Sequence, residues 1–148
     1  MVDGQSILCD EVIAQDCVQT MMDPLVNEWR LLYEEAAPAL VHEATSRINP
    51  LNKAWTYEYD SVGNLTKVTD PLSNRTDFAY DSLNNLKSIT PPGATANTVN
   101  TAKKVEINYT DSNHPTSPTQ IIEPADGQGN SAATTTIVYP ESLAVSGH

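Results

Sequence analysis

The sequence predicts an α+β protein that is mainly β: an N-terminal α-helical hairpin followed by an antiparallel β-hairpin repeat meander of about seven strands. Near residue 47 the residue usage changes from Ala, Leu, Glu, Met and Val to Thr, Asn, Pro, Gly and Tyr. That is a change from helix-forming to strand- and turn-forming residues. Beyond this point the sequence repeats with an offset of 21 residues, a spacing typical of repeat architectures. We therefore expect two regions, residues 1–47 and residues 48–148.

Residues 1–47 are predicted to form an acidic helical hairpin that caps the domain, with helices at about residues 10–22 and 23–37. Asp23 is a favourable N-cap residue, and Pro24 is tolerated at the first helical position. An apolar stripe follows at helical spacing; it consists of Leu25, Val26, Trp29, Leu32 and Tyr33. We expect this stripe to cover the sheet of its own molecule or that of a neighbour.

Residues 48–148 are predicted to contain about four copies of one β-hairpin unit. The segment Tyr57-Glu58-Tyr59-Asp60 aligns with Phe78-Ala79-Tyr80-Asp81, and Asn49-Pro50-Leu51 aligns with Asp70-Pro71-Leu72. Two looser copies follow within residues 103–140. In each unit, large apolar side chains alternate with smaller or polar ones, which is typical of a half-buried strand.

The strands of each unit are predicted to be joined by tight turns at residues 60–63, 81–84 and 110–113. An Asp at the start can accept hydrogen bonds from its own backbone, and Pro fixes φ at the second position of the next turn. Gly and Asn at the last position tolerate the left-handed backbone region, so we expect Gly63 to have a positive φ. The predicted structural turn residues are Asp60, Gly63, Pro71, Asn84 and Asn113.

The alternation places the large side chains on one face of the meander. This predicted core or assembly face consists of Trp55, Tyr57, Tyr59, Phe78, Tyr80, Ile107 and Tyr109, with Trp29 from the N-terminal stripe. Each aromatic ring buries about 150–250 Å² when it is covered, so a small domain cannot leave such a face in water without associating. We expect either self-association or packing against neighbouring repeats of a larger protein.

At these residues the chain resembles a known family. The pattern Tyr59-Asp60-Ser61-Val62-Gly63-Asn64-Leu65, followed by Asp70-Pro71, is similar to the YD repeat of Rhs proteins, and residues 80–86 repeat it with Asn in place of Gly. The resemblance covers residues 48–90 well and residues 103–140 weakly. It implies a scaffold of β-hairpins such as those that build a hollow shell around a toxic or sequestered domain. It also implies a secreted or cell-surface location, although no signal peptide is evident in this chain.

The composition and the motifs argue against several other classes of protein. With 19 acidic and 8 basic residues the net charge is −11, which argues against binding nucleic acid. The sequence has no apolar run long enough for a membrane-spanning helix. No catalytic motif, metal site or cofactor site is evident. The pair Asp111 and His114 could be half of a metal site, but a turn histidine is the preferred interpretation, and His42 lies outside any polar cluster.

The sequence thus predicts a non-enzymatic structural module, a piece of a secreted or surface-displayed shell or stalk of toxin-delivery type. One alternative is a self-assembling, filament-like extracellular subunit, because a sheet of stacked repeats has open edges. A second alternative is a carbohydrate-binding surface module, in which the rings of Trp55, Tyr57 and Tyr59 stack on sugars. No cofactor is expected for any of the three functions.

Overall fold

A computed structural model of the chain describes residues 6–8, 17–33, 44–125 and 131–139. These residues form one antiparallel sheet in which eleven strands follow one another in sequence order. The strands are β1 Ser6–Leu8, β2 Cys17–Met22, β3 Glu28–Tyr33, β4 Ser46–Ile48, β5 Ala54–Tyr59, β6 Leu65–Thr69, β7 Arg75–Tyr80, β8 Leu86–Thr90, β9 Val105–Asn108, β10 Gln120–Glu123 and β11 Ala133–Thr136. A single 3₁₀ turn, Thr101–Lys103, precedes β9.

The prediction of an N-terminal α-helical hairpin is wrong, because the described part of this region is β-structure. Strands β2 and β3 pair over six residues, from Cys17 opposite Tyr33 to Met22 opposite Glu28. No α-helix is present among the residues that the structure describes. The remaining parts of the two predicted helices, together with Cys9 and His42, lie outside those residues. The mainly β character of the prediction is correct.

The apparent helix start at Asp23 is a hairpin turn. The Asp23 carboxylate accepts hydrogen bonds from the backbone N–H groups of Leu25, at 2.8 Å, and Asn27, at 2.9 Å. Val26 has a φ of 64°, and a left-handed residue at this point prevents the chain from continuing as a helix. The predicted helical stripe is also wrong, because Trp29 and Tyr33 follow the two-residue alternation of a strand.

Strand β4 joins the N-terminal hairpin to the repeats. It spans the predicted boundary after residue 47 and pairs with β3 on one side and β5 on the other. The seven strands from β5 onward form the antiparallel meander of the repeat region. The described strands on both sides of the predicted boundary therefore belong to one sheet.

Register partners in a β-sheet lie on the same face, so the pairings define an apolar face and a polar face. Three rows across the apolar face illustrate its composition: Leu31, Arg47 and Trp55; Phe78, Ile89 and Val105; and Ile107, Ile121 and Thr135. The opposite face, here called the polar face, carries mainly Thr, Ser, Glu, Lys, Arg and Asp, together with the apolar residues Val18, Leu32, Ile48 and Ile122. The sheet is a single layer in the described residues, where the only buried side chains are Thr90 and Thr119 and no apolar side chain is fully buried.

Candidate assembly surface

The turns that hold the strands in register share one hydrogen-bond network. In the turn after β5, Asp60 Oδ1 accepts from the backbone N–H of Val62, at 3.0 Å, and of Asn64, at 2.9 Å. Asp60 Oδ2 accepts from the Asn64 side chain at 2.9 Å, and the Gly63 N–H donates to the Asp60 carbonyl. The same Asp-to-Asn network recurs in residues 23–27, 70–74 and 81–85.

The fourth residue of each of these turns has a left-handed backbone. The φ of Gly63 is 94°, which confirms the predicted positive value, and that of Asn84 is 64°. Val26, Asn52 and Ser73 occupy the same position with φ between 57° and 64°. Because a positive φ is unfavourable for Val and Ser, the conformation is set by the turn as a whole and not by the residue at that position.

The turn after β9 differs from the prediction. Its closing hydrogen bond runs from the His114 N–H to the Asp111 carbonyl, so the turn spans residues 111–114 and not 110–113. Asn113 donates its N–H to the Asp111 carboxylate and is not among the residues with a positive φ. The reason is the insertion of Thr110, since Asp60 follows its Tyr directly whereas Asp111 does not.

Three turns on one rim of the sheet begin with Asp-Pro-Leu or Asn-Pro-Leu, and the third residue of each projects into solvent. Leu25 is 82% exposed, and Leu51 and Leu72 are each 79% exposed. Pro71 occupies the second position, where its fixed φ suits the turn. The N-terminal copy, Asp23-Pro24-Leu25, was not recognised from the sequence as part of this series, although its letters match the later copy at residues 70–72.

The strand register brings the predicted aromatic residues onto one face. Tyr57 lies opposite Val68, Tyr59 opposite Leu65, Phe78 opposite Ile89 and Tyr80 opposite Leu86. These side chains are half-buried against one another. A β-bulge interrupts the pairing beside Tyr59 and again beside Tyr80, so each hairpin unit carries the irregularity at the same place.

Tyrosine hydroxyl groups on this face tie each hairpin to an earlier part of the chain. Tyr59 donates to the Ala44 carbonyl at 3.1 Å, Tyr109 to the Leu86 carbonyl at 3.1 Å and Tyr139 to the Pro118 carbonyl at 3.0 Å. Burial raises the pKa of Tyr109 above its usual value, and the nearby Asp81 carboxylate raises it further. These tyrosines therefore combine an apolar ring in the face with a hydrogen bond to the main chain.

The N-terminal strands and the repeats meet at a stack of two indole rings and a guanidinium group. Arg47 on β4 lies 5.0 Å from the ring centroid of Trp29 on β3 and 4.8 Å from that of Trp55 on β5. Cation–π contacts of this kind are attractive. Sequence reasoning placed both tryptophans on the assembly face but missed Arg47, whose alternation with Ser46 and Ile48 in a short strand gave no clear signal.

The opposite face carries paired charges. Lys67 Nζ contacts the Glu58 carboxylate at 2.6 Å, and Arg75 Nε contacts Asp77 at 2.6 Å. Lys104 pairs with Glu106 in the same way. Such half-exposed ion pairs contribute little to stability, but they show that this face is suited to water.

The turn network also lowers the pKa values of the turn aspartates. The pKa of Asp60 lies below its usual value chiefly because the Asn64 side chain donates a hydrogen bond to the carboxylate, with further donation from backbone N–H groups. The same cause lowers the pKa values of Asp23, Asp70 and Asp81. The turns therefore favour the ionised carboxylates.

Asp111 and His114, the pair considered for metal binding, contact each other. His114 Nδ1 lies 2.8 Å from Asp111 Oδ2, and its ring packs against Tyr139 at 5.3 Å between centroids. No group of three or more His, Cys, Asp or Glu side chains converges within the described residues. No helix in that part of the chain is long and apolar enough to cross a membrane. The residues that cluster are those of the apolar face.

Comparison with known proteins relates this architecture to one family. A search of curated proteins gives no match to the chain. The sequence model of the family described as RHS Repeat matches residues 42–73 and, overlapping them, residues 59–96. Together the two matches contain strands β4 to β8 and the four turns that lie at residues 49–53, 60–64, 70–74 and 81–85. Residues 42–96 thus carry the RHS repeat, and the resemblance to the YD/Rhs-repeat family is confirmed for this part of the chain.

Proposed function

We propose that this chain is a non-enzymatic structural module, a strip of Rhs-type β-sheet that forms part of a secreted or surface-displayed shell or stalk. The observation that carries this proposal is the apolar face, which continues across the sheet while no apolar side chain in the described residues is fully buried. The RHS repeat match supports the same function, because repeats of this kind stack into extended walls.

The apolar face requires a second layer. A sheet with one apolar face is stable when that face packs on another element, and each square ångström of apolar surface removed from water contributes about 25 cal/mol. Phe78, Ile89 and Val105 are adjacent in one row, so covering this row alone is worth several kcal/mol. The partner that we propose is neighbouring repeat structure of a larger assembly, of the toxin-delivery type in the family that the chain resembles.

A self-assembling subunit is the second candidate function. Within the described residues, β1 and β11 each pair on one side only, and unpaired strand edges favour association with another strand. The carbohydrate-binding alternative has less support. The hydroxyl groups of Tyr59 and Tyr109 already donate to main-chain carbonyls, and Trp55 stacks on Arg47, so these groups are committed to contacts within the sheet.

Sedimentation velocity across a range of protein concentrations tests the structural proposal. In the absence of neighbouring repeats, the purified chain should cover its apolar face by associating with other copies, and Phe78→Asp on that face should weaken the association at least tenfold. Ala79→Asp is the matched control, because Ala79 is the next residue of β7 and is exposed on the polar face. A chain that remains monomeric at high concentration, or two variants that weaken association equally, would contradict the proposal.

A further inference from the structure

Charged residues are rare on the apolar face. Among the register-paired residues of the described strands, only Arg47 and Glu123 place a charge on this face. Glu123 is exposed at the end of β10, six strands from β4, which corresponds to roughly 29 Å at the usual strand spacing. The two groups therefore cannot pair within one sheet.

Arg47 has no carboxylate partner among the residues that the structure describes. Its contacts are the two indole rings of Trp29 and Trp55. Its Nε–H group is shut off from water and has no hydrogen-bond acceptor within the part of the chain that the structure describes. Because a group from another layer cannot reach this shielded Nε–H, the donors left for such a partner are those of the two Nη groups.

The contacts of Arg47 with the two rings limit which ligand its guanidinium group can bind. The indole rings of Trp29 and Trp55 lie against the guanidinium carbon, and the Nη donors of the group suit the paired oxygens of a carboxylate. If the apolar face is covered, as proposed above, this charge is transferred into a less polar environment. A buried charge without a partner is costly, whereas a paired and hydrogen-bonded one is tolerated.

We propose that Arg47, held between Trp29 and Trp55, is a carboxylate-binding site, and that the protein layer covering the apolar face presents an acidic side chain to it. This inference rests on the proposed structural function and adds the chemistry of the partner: an apolar surface with one carboxylate. The net charge of the chain is −11, which repels anions in general. A carboxylate that binds this chain therefore requires a specific contact such as the one with Arg47.

A second copy stacked with its strands parallel to those of this face does not supply the carboxylate. The register of neighbouring strands gives the positions of the two charges along the strand direction. Glu123 lies about four residues, or ~13 Å, farther along this direction than Arg47. The offset is obtained by following the register partners across the sheet from β4 to β10. Two such faces related by a two-fold axis along β7 would place β4 over β10 of the copy but leave the two charges apart. We therefore assign the carboxylate to a layer other than a copy stacked in this aligned way.

Tryptophan fluorescence offers a selective test, because the chain contains only two tryptophans and both contact Arg47. The probes are N-acetyl-phenylalanine, which combines an apolar ring with a carboxylate, and the uncharged N-acetyl-phenylalaninamide, each titrated to tens of millimolar. We expect the acid to change the fluorescence saturably and to bind roughly tenfold more tightly than the amide, a ratio in keeping with one charge-assisted hydrogen-bonded pair. Added salt should weaken binding of the acid alone.

Variants assign the preference to Arg47. Arg47→Met should make the two probes bind equally, whereas Arg75→Met should leave the preference unchanged, because Arg75 is paired with Asp77 on the polar face. Equal binding of acid and amide to the unmodified protein, no saturable change with either probe, or a preference that survives in Arg47→Met would overturn the proposal. The comparison of the probes on the unmodified protein requires no variant to fold.

Association experiments separate this inference from the structural proposal. If Arg47→Met leaves association intact and the acid and the amide bind equally to the unmodified protein, the carboxylate site is refuted while the structural function stands. If the acid binds selectively but the chain never associates, the site stands and the structural function fails. If Glu123→Gln alone abolishes association, the carboxylate comes from a second copy, which refutes its assignment to another layer.

Discussion

The two faces of the sheet have the same backbone but opposite side-chain chemistry. On the polar face, charges are already paired, as for Lys67 with Glu58 and Arg75 with Asp77. On the apolar face, Arg47 contacts two indole rings and no carboxylate of the described residues. We infer from this difference that the polar face is suited to exposure to water, whereas the apolar face requires a further protein layer.

The difference between the two faces depends on the turns, because the turns fix the register of the strands. Because side chains alternate between faces, a shift of one residue in register would move every apolar side chain to the polar face. The repeated Asp-to-Asn turn fixes the register at residues 23–27, 49–53, 60–64, 70–74 and 81–85, with Asn49 taking the place of Asp in the second. The turns therefore keep the two faces distinct.

A charge introduced on either face tests their difference most strongly. Tyr57→Asp removes a ring from the apolar face and places a carboxylate among apolar side chains, so we expect it to destabilise the assembled protein by about 2–4 kcal/mol. Thr56→Asp, at the preceding exposed position, should change the stability by less than about 1 kcal/mol. Urea unfolding of both variants measures the two values, and equal losses would remove the distinction between the faces.

The next effect in size concerns the turn position that sets register. Gly63→Val should destabilise the protein by about 1–3 kcal/mol, because a β-branched residue is strained at a φ of 94°. Val26→Gly should stabilise it by about 1 kcal/mol, because Val26 already has a φ of 64° and its side chain is 74% exposed. Thermal unfolding of the pair should therefore give shifts of opposite sign; shifts of the same sign would contradict the turn geometry.

The smallest expected effect is the pH dependence of stability that each turn aspartate contributes. The pKa values of Asp23, Asp60, Asp70 and Asp81 lie below the ordinary value of 3.8. Their contribution to stability is complete above that value and is lost as the pH falls below it through the lowered pKa values. Asp70→Asn should reduce the loss of stability between pH 5 and pH 2 seen in urea unfolding, and an unchanged acid limb would contradict this role.

The repeat region was predictable from sequence because several signals agree there. The alternation of Trp55, Tyr57 and Tyr59, the offset of 21 residues and the Asp-to-Gly turn all indicate the same hairpin. The resulting face and the left-handed Gly63 are both present in the structure. The shift at Asn113 was missed because one inserted residue, Thr110, changes the phase of that turn.

The N-terminal strands were mispredicted because two periodicities coincide there. Leu25, Trp29 and Leu32 have helical spacing, and Asp-Pro is an acceptable helix start as well as a turn start. Trp29, Leu31 and Tyr33 fit the strand period equally well, and cross-strand pairing with β2 and β4 decides between the two. Short segments of this kind depend on their neighbours in the sheet more than on local propensity.

The role of Arg47 could not be inferred from sequence, since it depends on two residues from strands on either side. Trp29 and Trp55 are separated from Arg47 by 18 and 8 positions, and only the register of β3, β4 and β5 brings them together. In the sequence, Arg47 stands beside Ser46 in a stretch that looks like a linker. The long-range pairing of a sheet is the information that the local pattern lacks.

Thiol labelling on β6 tests most directly whether a second layer covers the apolar face. Val68→Cys and Thr69→Cys place single thiols on neighbouring residues that are both half-buried in the sheet, one on each face, in a background with Cys9→Ser and Cys17→Ser. In the associated protein we expect the thiol at position 68 to react with a water-soluble maleimide at least tenfold more slowly than that at position 69. Equal rates at both positions would show that the apolar face is uncovered and would contradict the account.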